Sequence, residues 1–317
     1  MKNLAKRLVP NSIKPVLRRA YDSALASRYR RQVNAALESA NAPLSFSGLE
    51  DEAWFWANTE GYREDARLRE LLPAMPDDFT QLRFTGVAGD RTLREGFEAY
   101  KLFKDIFQRH GGDLAHARVL DYGCGWGRII RFFLKDVEPE QLWGIDCFDE
   151  VLQVSKDTNH WCHFELVNAF PPSTFAADSF DLIYSYSVFS HLSEDAHLAW
   201  LLEFKRILKP GGLLIATTRK REFIELCRRL NQGGDVAIHK RGVAESFPDT
   251  ERSLLDYDEG KYCYHPAGGG GPLDGSFFGE TCIPKAYVLQ HWANQFEFLD
   301  FIDDERCLQS VIVVKKS

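Results

Sequence analysis

Apolar and polar positions change rhythm along the chain. Over residues 1–40, Leu4, Leu8, Leu17, Tyr21 and Leu25 recur at loose helical spacing, broken early by Pro10 and Pro15. Helix is expected there. Residues 41–91 have no clear period: Trp54, Phe55 and Trp56 stand among prolines and glycines, and one short charged helix is expected near 60–72. Thr92-Leu93-Arg94-Glu95 fits a capping box. It opens a helix with Leu93, Phe97, Tyr100, Phe103 and Phe107 three and four residues apart, ended by Gly111-Gly112.

From residue 118 short apolar runs alternate with helical segments. Strands are expected at 118–121, 142–146, 163–167, 180–185 and 213–218, with helices between them at 127–136, 149–158 and 194–208. Ser193 is a good N-cap for the third helix, with Glu194 and Asp195 in its first turn. Pro210-Gly211-Gly212 reads as the turn into the fifth strand. Strand, helix, strand, repeated, predicts a parallel sheet covered on both faces. Beyond it come a helix at 219–231 and an irregular stretch at 232–283 around the glycines at 268–271. A helix from Pro284 to about Asn294 follows. Strands at 296–303 and 307–315, joined by Asp304-Glu305-Arg306, form an antiparallel pair. The expected layout is a mainly helical N-terminal appendage (1–91) and an α/β domain (92–317) with an irregular insertion at about 232–283.

The 317 residues are 44% hydrophobic and 27% charged, which excludes a wholly disordered or fibrous chain. The net charge of −7 argues against a general nucleic-acid binder, and no nucleic acid is expected as partner. Charge is unevenly spread, however. Residues 1–31 carry nine basic groups and one acid, +8, which leaves −15 for the rest. Such a basic head suits peripheral contact with an anionic membrane, or serves as a solvated arm or docking helix. There is no run of 18 apolar residues and no apolar core of a signal peptide. Seven cysteines, an odd number with no C-x-x-C pair, point to a reducing compartment without disulfide framework or metal. A cytoplasmic protein is expected, peripheral at the inner membrane face if the head binds there.

The residues that carry chemistry lie at the first strand's end. Asp121-Tyr122-Gly123-Cys124-Gly125-Trp126-Gly127-Arg128 runs from an apolar strand into a glycine-rich turn that opens a helix. Glycines let the backbone approach a ligand, and a helix start offers unpaired N–H groups. The third glycine of a dinucleotide fingerprint is here Arg128. An acid two residues before Gly123 opposes a pyrophosphate but suits a ligand with a cationic amine. Asp146 ends the next strand, 146 − 121 = 25 residues on, placed to accept both hydrogens of a ribose diol.

At these residues the chain resembles the class I S-adenosylmethionine-dependent methyltransferases. Asp121 to Gly127 matches their first motif and Asp146 their ribose-binding acid. Asn168-Ala169 matches the position of their polar contact to the adenine edge. Phe180 to Ser185 matches their fourth strand, and Leu208-Lys209-Pro210-Gly211-Gly212-Leu213-Leu214 the turn into their fifth. The resemblance implies a Rossmann-like, seven-stranded, mostly parallel sheet with helices on both faces and an antiparallel closing strand. It implies S-adenosylmethionine as cofactor, held by Asp121, Tyr122, Gly123, Gly125, Asp146, Cys147, Asn168, Ala169 and Ser185. Trp126, bulky amid the glycines, stacks on the methionine portion or closes over the turn. Less specifically, the basic start and the stretch from Tyr262-Cys263-Tyr264-His265-Pro266 to Gly279-Glu280-Thr281-Cys282 resemble bacterial methyltransferases associated with polysaccharide biosynthesis.

Methyl transfer to an alcohol needs in-line positioning and a base. His191, just after the fourth strand, is the first candidate, with packing of the helix start as its bland alternative. His265 and Glu280, flanking the irregular stretch, come next. The expected activity is O-methylation of a saccharide or another small or lipid-linked acceptor. N- or C-methylation of a small molecule stays open, as does a non-catalytic partner protein docking through its basic head. A nicotinamide dehydrogenase is disfavoured by Arg128 and Asp121.

Overall fold

The computed structural model describes residues 14–39, 46–233, 238–267, 271, 273–304 and 307–317. The first thirteen residues of the basic head, glycines 268–270 and residues 305–306 of the last turn lie outside the described residues.

Seven strands form one sheet: β1 (Val119–Tyr122), β2 (Leu142–Asp146), β3 (His163–Leu166), β4 (Phe180–Ser185), β5 (Leu208–Thr218), β8 (Glu297–Ile302) and β9 (Ser310–Lys315). A separate ribbon pairs β6 (Cys263–Pro266) with β7 (Gly279–Cys282). The sheet order is β3-β2-β1-β4-β5-β9-β8. Strands β1 to β5 pair in parallel, and β9 runs antiparallel to β5 and to β8. This is the expected Rossmann-like sheet with its antiparallel closing strand. Central strands are buried on both faces, so their sequences read as unbroken apolar runs.

Alternation along those strands divides two cores. Val119, Leu182, Tyr184, Ile215 and Val313 face one side; Leu120, Ile183, Leu214, Ala216 and Ile312 face the other. The first core is closed by the helix Asp90–Arg109 and by Trp54, Phe55 and Trp56 from the helix Asp51–Trp56. Trp54 is fully buried and donates its Nε1–H to the Phe132 carbonyl at 3.0 Å. Trp56 is buried in the same core. The second core is closed by the helix Glu194–Ile207, capped by Ser193 as expected, and by Tyr287, Val288 and Trp292.

Several local expectations are corrected. The helix at 90–109 starts before the proposed capping box, because Gly89 at φ +65° breaks the chain there. Thr92 is buried inside the helix and bonds Thr85 Oγ1 at 3.0 Å, and Glu95 turns to Arg128. The helix expected at 127–136 is reduced to Ile130–Phe133, since Gly123, Gly125 and Gly127 all hold positive φ before it. Pro210-Gly211-Gly212 is absorbed into β5 as an irregularity: Phe180 pairs with Leu208 but Leu182 with Leu213. The stretch read as irregular, 232–283, instead carries the helices Ile238–Glu245 and Thr250–Asp258 and the β6–β7 ribbon. Phe247 and Leu254 form a third small core with Ile224, Cys227, Cys263 and Cys282.

The basic head is a helix, Lys14–Ser39. It lies against the following helices: Val33 is buried, Arg28 pairs with Glu50 and Arg30 with Glu64. No helix among the described residues is long and apolar enough to cross a membrane. The seven cysteines are free thiols, with Cys263 and Cys282 facing each other across the ribbon.

Candidate active site

Parallel strands end at one edge of the sheet, where a cavity of about 940 Å³ opens. Ligands of such sheets bind outside the carboxyl ends of the strands. Because β9 is antiparallel, its first residue Ser310 lies opposite Thr218, the last of β5. Gln309 thereby reaches the same cavity.

The glycine turn after β1 forms one wall. Gly123, Gly125 and Gly127 hold φ of +73°, +54° and +79°, a region L side chains rarely adopt. A Cβ on Gly123 would come within 2.2 Å of Val188 Cγ2, whereas nothing lies within 4 Å of one on Gly125. Gly125 thus presents bare backbone to open space. Its N–H donates to Asp146 Oδ2 at 3.0 Å, and the Phe148 N–H donates to Asp146 Oδ1 at 2.9 Å. Asp146 fixes the turn with one lone pair from each oxygen. A carboxylate has about four acceptor positions, so each oxygen keeps one for a ligand. Burial raises the Asp146 carboxyl above its usual range, against the pull of those N–H groups.

Asp121 is almost wholly buried. Burial pushes its carboxyl up to about 8, opposed by the Tyr184 hydroxyl and Arg128, with Asp146 adding to the rise. A cationic amine placed beside it would restore the ionised form. Trp126 is buried in the first core and also lines the cavity, and its Nε1–H has no protein partner among the described residues. An open glycine, two carboxylates and an orphan donor fit a ligand carrying an amine, a diol and acceptor oxygens.

Further lining comes from segments that the sequence did not connect with the site. Helix Arg221–Gln232 contributes Phe223 and Leu226, and the turn before β9 contributes Leu308 and Gln309. Arg83, Phe84 and Thr85 arrive from the helix Asp78–Thr85, where Phe84 meets Phe148 edge-on at 5.7 Å. No periodicity marked that helix, because Phe79 and Leu82 on it are exposed.

His191 lines the cavity where the ribbon abuts the loop after β4. The Gly279 N–H donates to the His191 carbonyl and the Thr281 N–H to the Ser190 carbonyl, both at 2.8 Å. The His191 ring stacks on Phe278 with centroids 4.9 Å apart. Its Nδ1 lies 2.8 Å from the Gly279 carbonyl, which can only accept. Nδ1 therefore carries the proton in the neutral ring, and Nε2 keeps its lone pair. Burial lowers the imidazole below its ordinary pKa, although Glu280, 3.7 Å away, opposes the shift. Glu280 is held by Arg219, whose Nε donates to Oε2 at 2.5 Å.

Of the residues expected from sequence, the cavity gathers Asp121, Tyr122, Gly123, Gly125, Asp146, Cys147, His191 and Glu280. Four others stand apart from its wall. Asn168 is exposed, and the Ala169 carbonyl is taken by Trp200 Nε1 at 2.7 Å. Ser185 is still inside the sheet and fully buried; the chain reaches the cavity only at Tyr186. His265 lies opposite Glu280 in the ribbon register but does not line the cavity. Among the described residues no group of three or more His, Cys, Asp or Glu could hold a metal ion.

Residues 119–212 match the methyltransferase domain family. Over 106 residues the chain is 31% identical to an uncharacterized methyltransferase of Schizosaccharomyces pombe, a match covering 30% of this chain and 37% of that protein. An S-adenosylmethionine-dependent methyltransferase from Mesorhizobium loti aligns over 67% of this chain and 96% of its own, with 14% identity and a TM-score of 0.46. One from Methanosarcina mazei aligns over the same shares, with 19% identity and a TM-score of 0.44. Residues 119–212 are thus similar to a methyltransferase domain, and the chain spans about a third of the length of the curated relative it matches.

Proposed function

We propose that the protein transfers a methyl group from S-adenosylmethionine to an oxygen of a saccharide, or of another small or lipid-linked acceptor. The observation that carries this reading is that one cavity is lined by the glycine turn, by Asp146 and by a histidine whose Nδ1 faces a carbonyl. Asp146 would hold the ribose diol, Gly123 and Gly125 the close backbone approach, and Asp121 the amine. When bound, the cofactor supplies a methyl group already activated by its sulfonium. The protein's own part is to align the acceptor, exclude water and take the acceptor proton, the last at His191 Nε2.

Replacing Asp146 by alanine removes two charge-assisted hydrogen bonds to the ligand, each contributing about 1.5–3 kcal/mol. Affinity for S-adenosylhomocysteine should fall by at least about tenfold while circular dichroism stays native. An unchanged affinity by calorimetry contradicts the assignment. The acceptor class is tested by labelled methyl transfer into fractionated glycan, lipid, protein and small-molecule pools. Label confined to protein would overturn it.

The same reading extends to location. With Arg28 and Arg30 taken up by Glu50 and Glu64, the remaining basic groups of residues 1–31 would meet an anionic inner membrane face, each contributing on the order of 1 kcal/mol. Deleting residues 1–31 should abolish co-sedimentation with phosphatidylserine vesicles. Equal co-sedimentation of the shortened chain refutes this.

A further inference from the structure

One set of polar side chains in the cavity has no part in the reading above. Ser187, Thr217 and Gln309 come from the loop after β4, the end of β5 and the turn before β9, and they close a ring of hydrogen bonds. The Ser187 N–H donates to Thr217 Oγ1 at 2.7 Å, the Thr217 hydroxyl donates to Gln309 Oε1 at 2.7 Å, and Gln309 Nε2 donates to Ser187 Oγ at 2.9 Å. The sense of the ring is fixed by counting protons. Thr217 is buried, and its oxygen already accepts from Ser187. Its own proton therefore needs an acceptor, which the Gln309 oxygen provides. Turning the amide round would leave that proton buried without a partner, at about 1–3 kcal/mol.

The count continues to Ser190. It is fully buried, and its hydroxyl lies 3.3 Å from Ser187 Oγ, its one hydrogen-bond partner among the described residues. Its proton points to Ser187. The Ser187 oxygen then accepts twice, from Gln309 and from Ser190, and its own proton is left over. So is the second N–H of Gln309. Both residues line the cavity. Two donors of fixed direction remain there, supplied by a ring whose other members are all satisfied. Ser187 holds φ +62°, a conformation that costs a serine roughly 1 kcal/mol or more and is kept where surroundings impose it, often at functional sites.

Sheet order says which ligand these donors meet. Asp146 follows β2 and the glycine turn follows β1, while Ser187 follows β4 and Gln309 precedes β9, beyond β5. The donors thus lie on the far side of β1 from Asp146, on the side of His191. We infer that Ser187 and Gln309 recognise the methyl acceptor, by donating to a pair of its oxygen lone pairs. This inference rests on the methyltransferase reading. The acceptor is accordingly a molecule with hydrogen-bond-accepting oxygens, a carboxylate or vicinal sugar oxygens, beside the hydroxyl presented to His191. A purely hydrocarbon or donor-only acceptor surface does not satisfy the pair.

Gln309→Glu is a discriminating variant. A carboxylate accepts from Thr217 with one oxygen and from the Ser187 hydroxyl with the other, so the ring persists. Both free donors, however, are lost together. The measurement is labelled methyl transfer from S-adenosylmethionine into the fraction that the wild-type protein labels, over a dilution series of that fraction. S-Adenosylhomocysteine affinity is measured alongside. The expected result is at least a tenfold rise in the amount giving half-maximal labelling, with maximal rate within about threefold and S-adenosylhomocysteine affinity unchanged. Ser187→Ala, which removes one donor, should give a smaller rise in the same quantity. Unchanged half-saturation, or an equal loss at every dilution, overturns the assignment while the methyltransferase reading stands. A wild-type protein that binds S-adenosylhomocysteine but labels no fraction overturns that reading and this assignment with it.

Discussion

Replacing His191 by alanine should lower the maximal rate of methyl transfer by about 10²–10⁴-fold, the contribution typical of a positioned base. Cofactor affinity should not change, because the proposed role of His191 is toward the acceptor. The pH profile carries a second signature. Only the neutral ring has a lone pair at Nε2, so activity is lost as pH falls through the His191 pKa. Burial lowers that pKa below 6.5, so the acidic limb lies on the acid side of a solvent-exposed histidine's. Glu280 works against the lowering. Glu280→Gln should therefore move the limb further toward acid. Stopped-time assays across pH read both effects, and full activity of His191→Ala on an alcohol acceptor removes His191 from the mechanism.

The largest expected loss of stability comes from a single added methyl. Gly123→Ala places a Cβ 2.2 Å from Val188 Cγ2 at φ +73°. Left-handed backbone costs an alanine roughly 1–2 kcal/mol, and overpacking of this kind about 1–3 kcal/mol. A destabilisation of about 2–5 kcal/mol is expected, with loss of cofactor binding because the turn must move. The two causes separate in a double variant. Gly123→Ala with Val188→Ala removes the overlap but leaves the backbone strain, so it should recover only part of the denaturant midpoint. Recovery to the wild-type midpoint would show that strain contributes nothing.

The centre of the sheet was legible because its strands are buried on both faces. Val119-Leu120 and Leu182-Ile183-Tyr184 admit little but a central strand, and Gly123 to Gly127 declares a ligand turn by glycine alone. Helices that bury few side chains were not legible. In the helix Asp78–Thr85 the one buried residue is Gln81, so no apolar period marks it, yet it brings Arg83 and Phe84 to the cavity. The region 238–258 is held in the third core by Phe247 and Leu254, too few to stand out among its charged residues. The candidate site divides in the same way. Residues attached to strand ends, Asp121, Asp146 and His191, could be read from spacing. Gln309 could not, because its place depends on β9 returning antiparallel beside β5. Asn168 and Ser185 were carried by resemblance alone, and lie off the cavity wall.

That returning strand has a consequence for how the protein is made. The last residue of β5 is Thr218, and its partner Ser310 is synthesised 92 residues later. At about 5–20 residues per second this is roughly 5–20 s. Throughout that interval β5, whose second half is buried in the finished sheet, has an open edge, a template for pairing with other chains. The glycine turn and Asp146 are complete well before it closes, whereas Gln309 arrives only with the closing strand. On the ribosome, a pocket able to take up a nucleoside would precede one able to choose an acceptor, and cofactor in the cell would be positioned to steady the unfinished chain.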